Sequence, residues 1–299
     1  MKFSHKLILI LLFTGLYLNG NISFNNPFEL YRNYKTNSDI DAILSRSYTD
    51  TIKGRIINET KNDFINDIQA SNKISSYDKM KIILEVTKIK INLVDFSYGN
   101  NSFLKTVNGL YRSGTKSNFI IISNKLNNTD MINTVIHELY HLKDDILIDG
   151  YKSYSSTNKL NIIDTTLTHE KLNKKIDNLL ILYGGKGEIS EKQKIFLHNL
   201  KINIYNYVTT NTSYITSEDE VYVRINMLRK YLYTNKMIDS LDQNLTNNDF
   251  LFLFSPKVIL TDKSSLQFIE LLFLMDIDIS SDEKVILNVK CLNAINKIP

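Results

Sequence analysis

Apolar positions fall into runs of two periods along this chain, and the changes of period mark its elements. From 22 to 80 the sequence is polar, with a weak helical spacing carried by Ile65, Ile68, Ile74 and Met80. The pattern becomes denser between Lys81 and Phe96, through Ile82, Ile83, Val86, Ile89, Ile91 and Val94. Two strand-like runs follow, Phe103 to Arg112 and Asn118 to Ser123. The second holds Phe119-Ile120-Ile121-Ile122 between polar flanks, and Gly114 lies in the turn between the runs. Ile132, Val135, Ile136, Leu139 and Leu142 then return to helical spacing. Thr129 or Asp130 can cap that helix, and Asp149-Gly150 can end it. Further helices are expected near 169–183, closed by Gly184-Gly185, near 189–207, and from Ser217 to about Tyr233. Two more are expected near 264–276 and 281–296. No internal repeat of fixed period is visible.

Composition narrows the class. Hydrophobic residues make up 43% and charged residues 23% of 299 positions, as in an ordinary globular protein. The net charge of +4 is spread out, with no basic stripe of the kind that binds nucleic acid. The single cysteine, Cys291, lies in an apolar run and is expected to be a buried thiol. At the N-terminus Lys2, His5 and Lys6 precede the apolar stretch Leu7 to Leu18, and Asn19-Gly20-Asn21 follows. A run of about 12 residues is short of the roughly 20 needed to span a bilayer, so this pattern predicts a signal peptide over 1–20. A secreted or periplasmic protein follows, with no stable membrane insertion beyond the signal segment.

The chemistry is concentrated in His137-Glu138-Leu139-Tyr140-His141. Residues four apart on a helix lie on one face, so both imidazoles can reach one ion. Glu138 flanks that ion without having to bind it. A catalytic zinc site takes three protein ligands and keeps one position for water, whose pKa falls towards about 7. Glu138 is placed to take a proton from that water and pass it to a leaving amine. Asp144 and Asp145 continue the same face, as second partners of the imidazoles or as solvated acids, the latter favoured.

The third ligand is not in an HExxHxxGxxH pattern, because Asp144 stands where glycine would be required and Leu147 where histidine would be. The HExxH segment, followed by Glu220-Val221-Tyr222-Val223-Arg224 and Leu228-Arg229, resembles gluzincin-type zinc metallopeptidases. Val223 stands where alanine is usual in that second segment. The resemblance implies an α+β, zincin-like fold, predominantly helical, with a small twisted sheet beside the HExxH helix. It implies Zn2+ held by His137, His141 and Glu220, with Glu138 catalytic, and a polypeptide substrate lying along the sheet edge. On a helical wheel Glu220 heads a stripe of Val223, Met227 and Tyr231. Glu218 heads another of Val221, Ile225 and Leu228, so the wheel does not separate them. Ser217 and Glu220 also form a capping-box pattern. Glu218, His169 and Glu170 therefore stand as alternative ligands. Tyr222, Tyr214 and Arg224 are candidate oxyanion partners, with Arg224 better read as a structural ion-pair partner.

The expected organisation is a signal peptide at 1–20, an N-terminal helical segment at 21–80 and a metallopeptidase domain at 81–299. The expected activity is zinc-dependent peptide hydrolysis. A zinc hydrolase of a cell-wall amide and a degenerate zincin-fold binding protein are the alternatives.

Overall fold

The computed structural model describes residues 43–98, 108–112, 118–151, 161–184, 218–255, 266–280 and 284–299, with isolated positions at 195, 198–199, 201–202, 205 and 258. The proposed signal segment, the helix expected near 189–207, the turn at Gly114, Ser217 and Tyr214 lie outside them. Among the described residues two long helices come first, α1 (Thr51–Ala70) and α2 (Ser76–Lys88). Asp50 caps α1 by accepting from the Lys53 N–H, and Ser75 caps α2 by accepting from the Asp78 N–H. The dense run from Lys81 to Phe96 is thus two elements, because α2 ends at Lys88 and β1 (Lys90–Val94) starts at once.

β2 (Gly109–Arg112) and β3 (Phe119–Ser123) complete a three-stranded mixed sheet in the order β1-β3-β2. β1 runs parallel to β3, and β2 runs antiparallel to it. The central strand is covered on both faces, which is why Ile120-Ile121-Ile122 is apolar throughout rather than alternating. Ile120 and Ile122 enter the main core, while Ile121 packs with Ile43, Val94 and Phe96 on the other face. Met80, expected to pack, is 63% exposed.

α3 (Asn128–Tyr151) carries the HExxH residues and packs across β2 and β3. Its cap is Asn127 rather than Thr129 or Asp130. Asn127 Oδ1 accepts from the Asp130 N–H at 2.9 Å, and Asn127 Nδ2 donates to Asp130 Oδ2 at 2.6 Å. Asp130 is the acid of the first turn instead. The helix runs past the expected stop at Gly150. Met131, Val135, Leu139 and Leu142 are fully buried, and each apolar side chain of this size contributes about 1.5–3 kcal/mol. α1 and α2 pack on the same helix, with Phe64 edge-on to Tyr140 at 5.2 Å.

The remainder is α4 (His169–Gly184), α5 (Glu218–Thr234), α6 (Asn247–Leu253) and α7 (Leu266–Leu274), then strands β4 (Ile277–Ser280) and β5 (Lys284–Leu287), then α8 (Val289–Asn296). The helix expected over 281–296 is therefore a strand followed by a shorter helix. Val285 and Leu287 are buried while Ile286 is half exposed, a two-residue alternation, and Asn288 caps α8 by accepting from the Lys290 N–H. α5 is buried from Glu220 to Arg229 without interruption and packs against both α3 and α7. The described residues form a zincin-like α+β arrangement, mostly helical with a small sheet beside the HExxH helix. Among the described residues no helix is long and apolar enough to cross a membrane.

Candidate metal centre

His137 and His141 project from one face of α3, with their Nε2 atoms 3.2 Å apart. Glu220 reaches them from the first turn of α5. Its Oε1 is 3.2 Å from His141 Nε2, and its Oε2 is 3.5 Å from His137 Nε2. Donors at zinc distances of about 2.0–2.1 Å and tetrahedral angles stand about 3.3 Å apart. The two imidazole nitrogens stand so, each is at a similar distance from one of the two Glu220 oxygens, and one donor atom from each residue lies within 4.8 Å of the others, as around one small ion. Two imidazole nitrogens and a carboxylate oxygen are also a donor set that zinc prefers. Among the described residues these are the one His/Cys/Asp/Glu group whose atoms converge in this way.

The electrostatics of the pocket follow from burial. His137, Glu138 and Glu220 are 7%, 6% and 4% exposed. Burial opposes the charge on Glu220, but the two imidazoles outweigh it and hold the carboxyl well below its usual range. Burial likewise opposes charge on His141, and the Glu220 hydrogen bond and charge outweigh it, pushing the imidazole up to about 9. For Glu138 burial wins, and its carboxyl titrates above the usual range.

Glu138 stands outside the triad and is fixed from the sheet. Its Oε2 accepts from the Tyr111 N–H at 2.6 Å. Ser123 N–H donates to the Asn108 carbonyl at 2.8 Å, so the paired residues of β2 and β3 alternate and the Tyr111 N–H points off the outer edge of β2. The edge strand therefore presents its backbone directly to the carboxylate. Gly109 allows this closeness. A Cβ there would lie 2.9 Å from Glu138 Oε1 and 2.5 Å from Thr134 Cγ2. The Tyr111 hydroxyl reaches on to donate to Asp145 Oδ2 at 2.9 Å.

The sequence-predicted residues sort clearly. His137, His141 and Glu220 are brought together, with Glu138 beside them. His169 and Glu170 are exposed, and His169 Nδ1 lies 3.1 Å from the Tyr205 hydroxyl instead. The Glu218 side chain lies outside the described residues. Asp144 and Asp145 are half buried rather than solvated, the former 3.8 Å from Lys143 Nζ and the latter on Tyr111. Arg224 is an ion-pair partner, donating to Glu220 and Glu270. Glu270 was missed, although a lone acid in the apolar run Leu-Gln-Phe-Ile-Glu-Leu-Leu-Phe-Leu needs a buried partner. Gly109 was missed too, although glycine inside a strand signals close backbone approach.

Comparison with protein-family models, characterised proteins and solved structures gives no match. The geometry stands by itself: His137, Glu138 and His141 with Glu220 form a candidate zinc-binding triad and flanking acid that match the HExxH-plus-glutamate signature of gluzincins, a zinc metalloenzyme active site.

Proposed function

We propose that this protein is an exported zinc metalloendopeptidase, with His137, His141 and Glu220 as metal ligands and Glu138 as the catalytic residue. The observation that carries the reading is the placing of Glu138. It lies beside the triad, is not used as a ligand, and is bonded to the outward N–H of an edge strand. A zinc ion held by His137, His141 and Glu220 would supply a Lewis acid able to acidify a water and polarise a carbonyl oxygen. Glu138 takes the proton of the attacking water and returns it to the departing amine. The Tyr111 N–H holds that carboxylate in register with β2. An extended polypeptide laid along the outer edge of β2 would present its carbonyls beside Glu138, the way a strand adds to a sheet. Export rests on the basic, then apolar, then Asn-Gly-Asn order of the first 21 residues, which sets the proposed signal segment at 1–20.

The test is Glu138→Gln. Zinc content stays at one ion per chain, while peptide hydrolysis falls by about two to four orders of magnitude, the usual yield of a general base. Hydrolysis at the parental rate would refute the mechanism. Hydrolysis of wall-derived amides but not of peptides would move the substrate to the cell wall.

A further inference from the structure

The triad is split between two helices. His137 and His141 share α3, so their relation is fixed by one backbone. Glu220 comes from α5, and its side chain must be held against α3 by something else. The structure shows what lies behind it. Oε2 of Glu220 is 3.2 Å from Arg224 Nε, one turn further along α5. Arg224 Nη1 donates at 2.9 Å to Oε2 of Glu270 on α7. Glu220, Arg224 and Glu270 are 4%, 5% and 9% exposed, so all three charges are out of water.

Stability alone gives weak reason for such a cluster. Buried ion pairs commonly recover no more than their desolvation cost, and apolar replacements of similar volume are often neutral or stabilising. Glu270 interrupts an otherwise apolar turn of α7, where a leucine would pack at no electrostatic cost. The arrangement does have a geometric consequence. The guanidinium is a permanent cation with donors in a rigid plane, and it is gripped at both ends. It engages Oε2 of Glu220, the oxygen that lies 3.5 Å from His137 Nε2, and the carboxylate is held with Oε1 towards His141 Nε2 at 3.2 Å. A long flexible carboxylate is thereby ordered before a metal arrives, so binding does not have to supply that ordering.

We infer that Arg224, gripped by Glu270 across the α5–α7 packing, is a positioning residue that holds the Glu220 carboxylate against His137 and His141 and so presents it to the metal. This rests on the zinc-site reading above. Neither residue touches the reacting atoms. Both act through the third ligand, and their effect is read in metal affinity.

The experiment measures Zn2+ affinity of the purified full chain by competition with a chromophoric chelator. Variants are Glu270→Gln, Arg224→Gln and Glu220→Ala, and each of the first two combined with Glu220→Ala. Loss of a residue that orients a ligand costs 10- to 100-fold in metal affinity. Glu270→Gln, which keeps the shape and one acceptor oxygen, is expected near 10-fold, and Arg224→Gln nearer 100-fold. In the Glu220→Ala background neither adds more than about twofold, because the residue they act through is gone. A merely structural role would leave zinc affinity unmoved in variants that fold, or lower it equally with and without Glu220. Either result overturns the inference. Glu270→Gln is isosteric and decides the matter by itself if Arg224→Gln does not fold. A parent chain that binds no zinc would overturn the metal-site reading. Tight binding by the parent with unchanged binding by the variants would overturn the positioning role alone.

Discussion

Gly109→Ala probes how tightly the sheet edge and the HExxH helix are fitted. The new Cβ would meet three groups, Thr134 Cγ2 at 2.5 Å, Glu138 Oε1 at 2.9 Å and Ile122 Cδ1 at 3.1 Å. Thr134 cannot swing aside cheaply. Its side chain is β-branched, and its hydroxyl donates to the Asp130 carbonyl at 2.7 Å. The helix or the strand must therefore give. One extra methyl in a packed region costs about 1–3 kcal/mol, and the stiffer unfolded chain of alanine returns about 0.4–1 kcal/mol. The net expectation is a loss of about 1–2 kcal/mol in urea unfolding of the metal-free protein. Activity should fall further than stability does. Displacing the Glu138 carboxylate by about 1 Å costs on the order of a hundredfold in rate. Zinc affinity should stay close to the parent's, since Gly109 touches no ligand. Thr134→Ser in the same chain removes Cγ2 and keeps the hydroxyl. It should restore most of the stability but only part of kcat/KM, because the contact with Glu138 remains. Gly109→Ala with parental stability and parental turnover would refute the close fit of β2 on Glu138.

Other perturbations address the site and the core separately. Adding Zn2+ should raise the melting temperature of the parent, by the equivalent of about 2.7 kcal/mol at a hundred times Kd, and Glu220→Ala should abolish most of that rise in a calorimetric titration. Arg229 donates to the carbonyls of Leu241, Gln243 and Ile295 and to Asn296 Oδ1, tying α5 to the segment before α6 and to the end of α8. Arg229→Met should lower unfolding free energy by about 3–5 kcal/mol in urea titration, because several acceptors lose their donor at once. Burial pushes the Cys291 thiol up to about 12. Its neutral form favours the folded state fully below the unfolded thiol's range near 9, and that contribution is lost as pH rises towards about 12. The stability of Cys291→Ala relative to the parent should therefore improve between pH 9 and pH 10.5, by on the order of 1–2 kcal/mol in paired urea titrations.

What could be read in the sequence divides along a physical line. α3 was legible because one face meets the sheet and core while another carries polar groups, so its period showed, and the HExxH spacing has meaning only on such a helix. β3 was legible because a buried central strand of aromatic and β-branched residues has few other homes. The span of α5 was legible, expected from Ser217 to about Tyr233 and found at Glu218–Thr234, but the choice of ligand on it was not. Every residue from Glu220 to Arg229 is buried, including Arg224, Asn226 and Arg229. A stretch enclosed on all sides has no solvent-exposed face to which polar residues are confined, so a helical wheel has nothing to distinguish Glu220 from Glu218. What marks Glu220 is tertiary: α5 crosses α3 where His137 and His141 stand, and Arg224 and Glu270 complete its surroundings. The same limit explains Glu270 and Gly109, each of which draws its meaning from an atom on another element. Buried polar residues on this all-buried stretch each need a named partner, and here Arg224 takes two carboxylates, Asn226 the Tyr222 carbonyl and Arg229 the carbonyls of Leu241, Gln243 and Ile295. Arg229 and Asn226 serve the backbone. Arg224 alone of these three points back at the triad, which is why the chemistry of α5 resides in its first two turns and its stability in the rest.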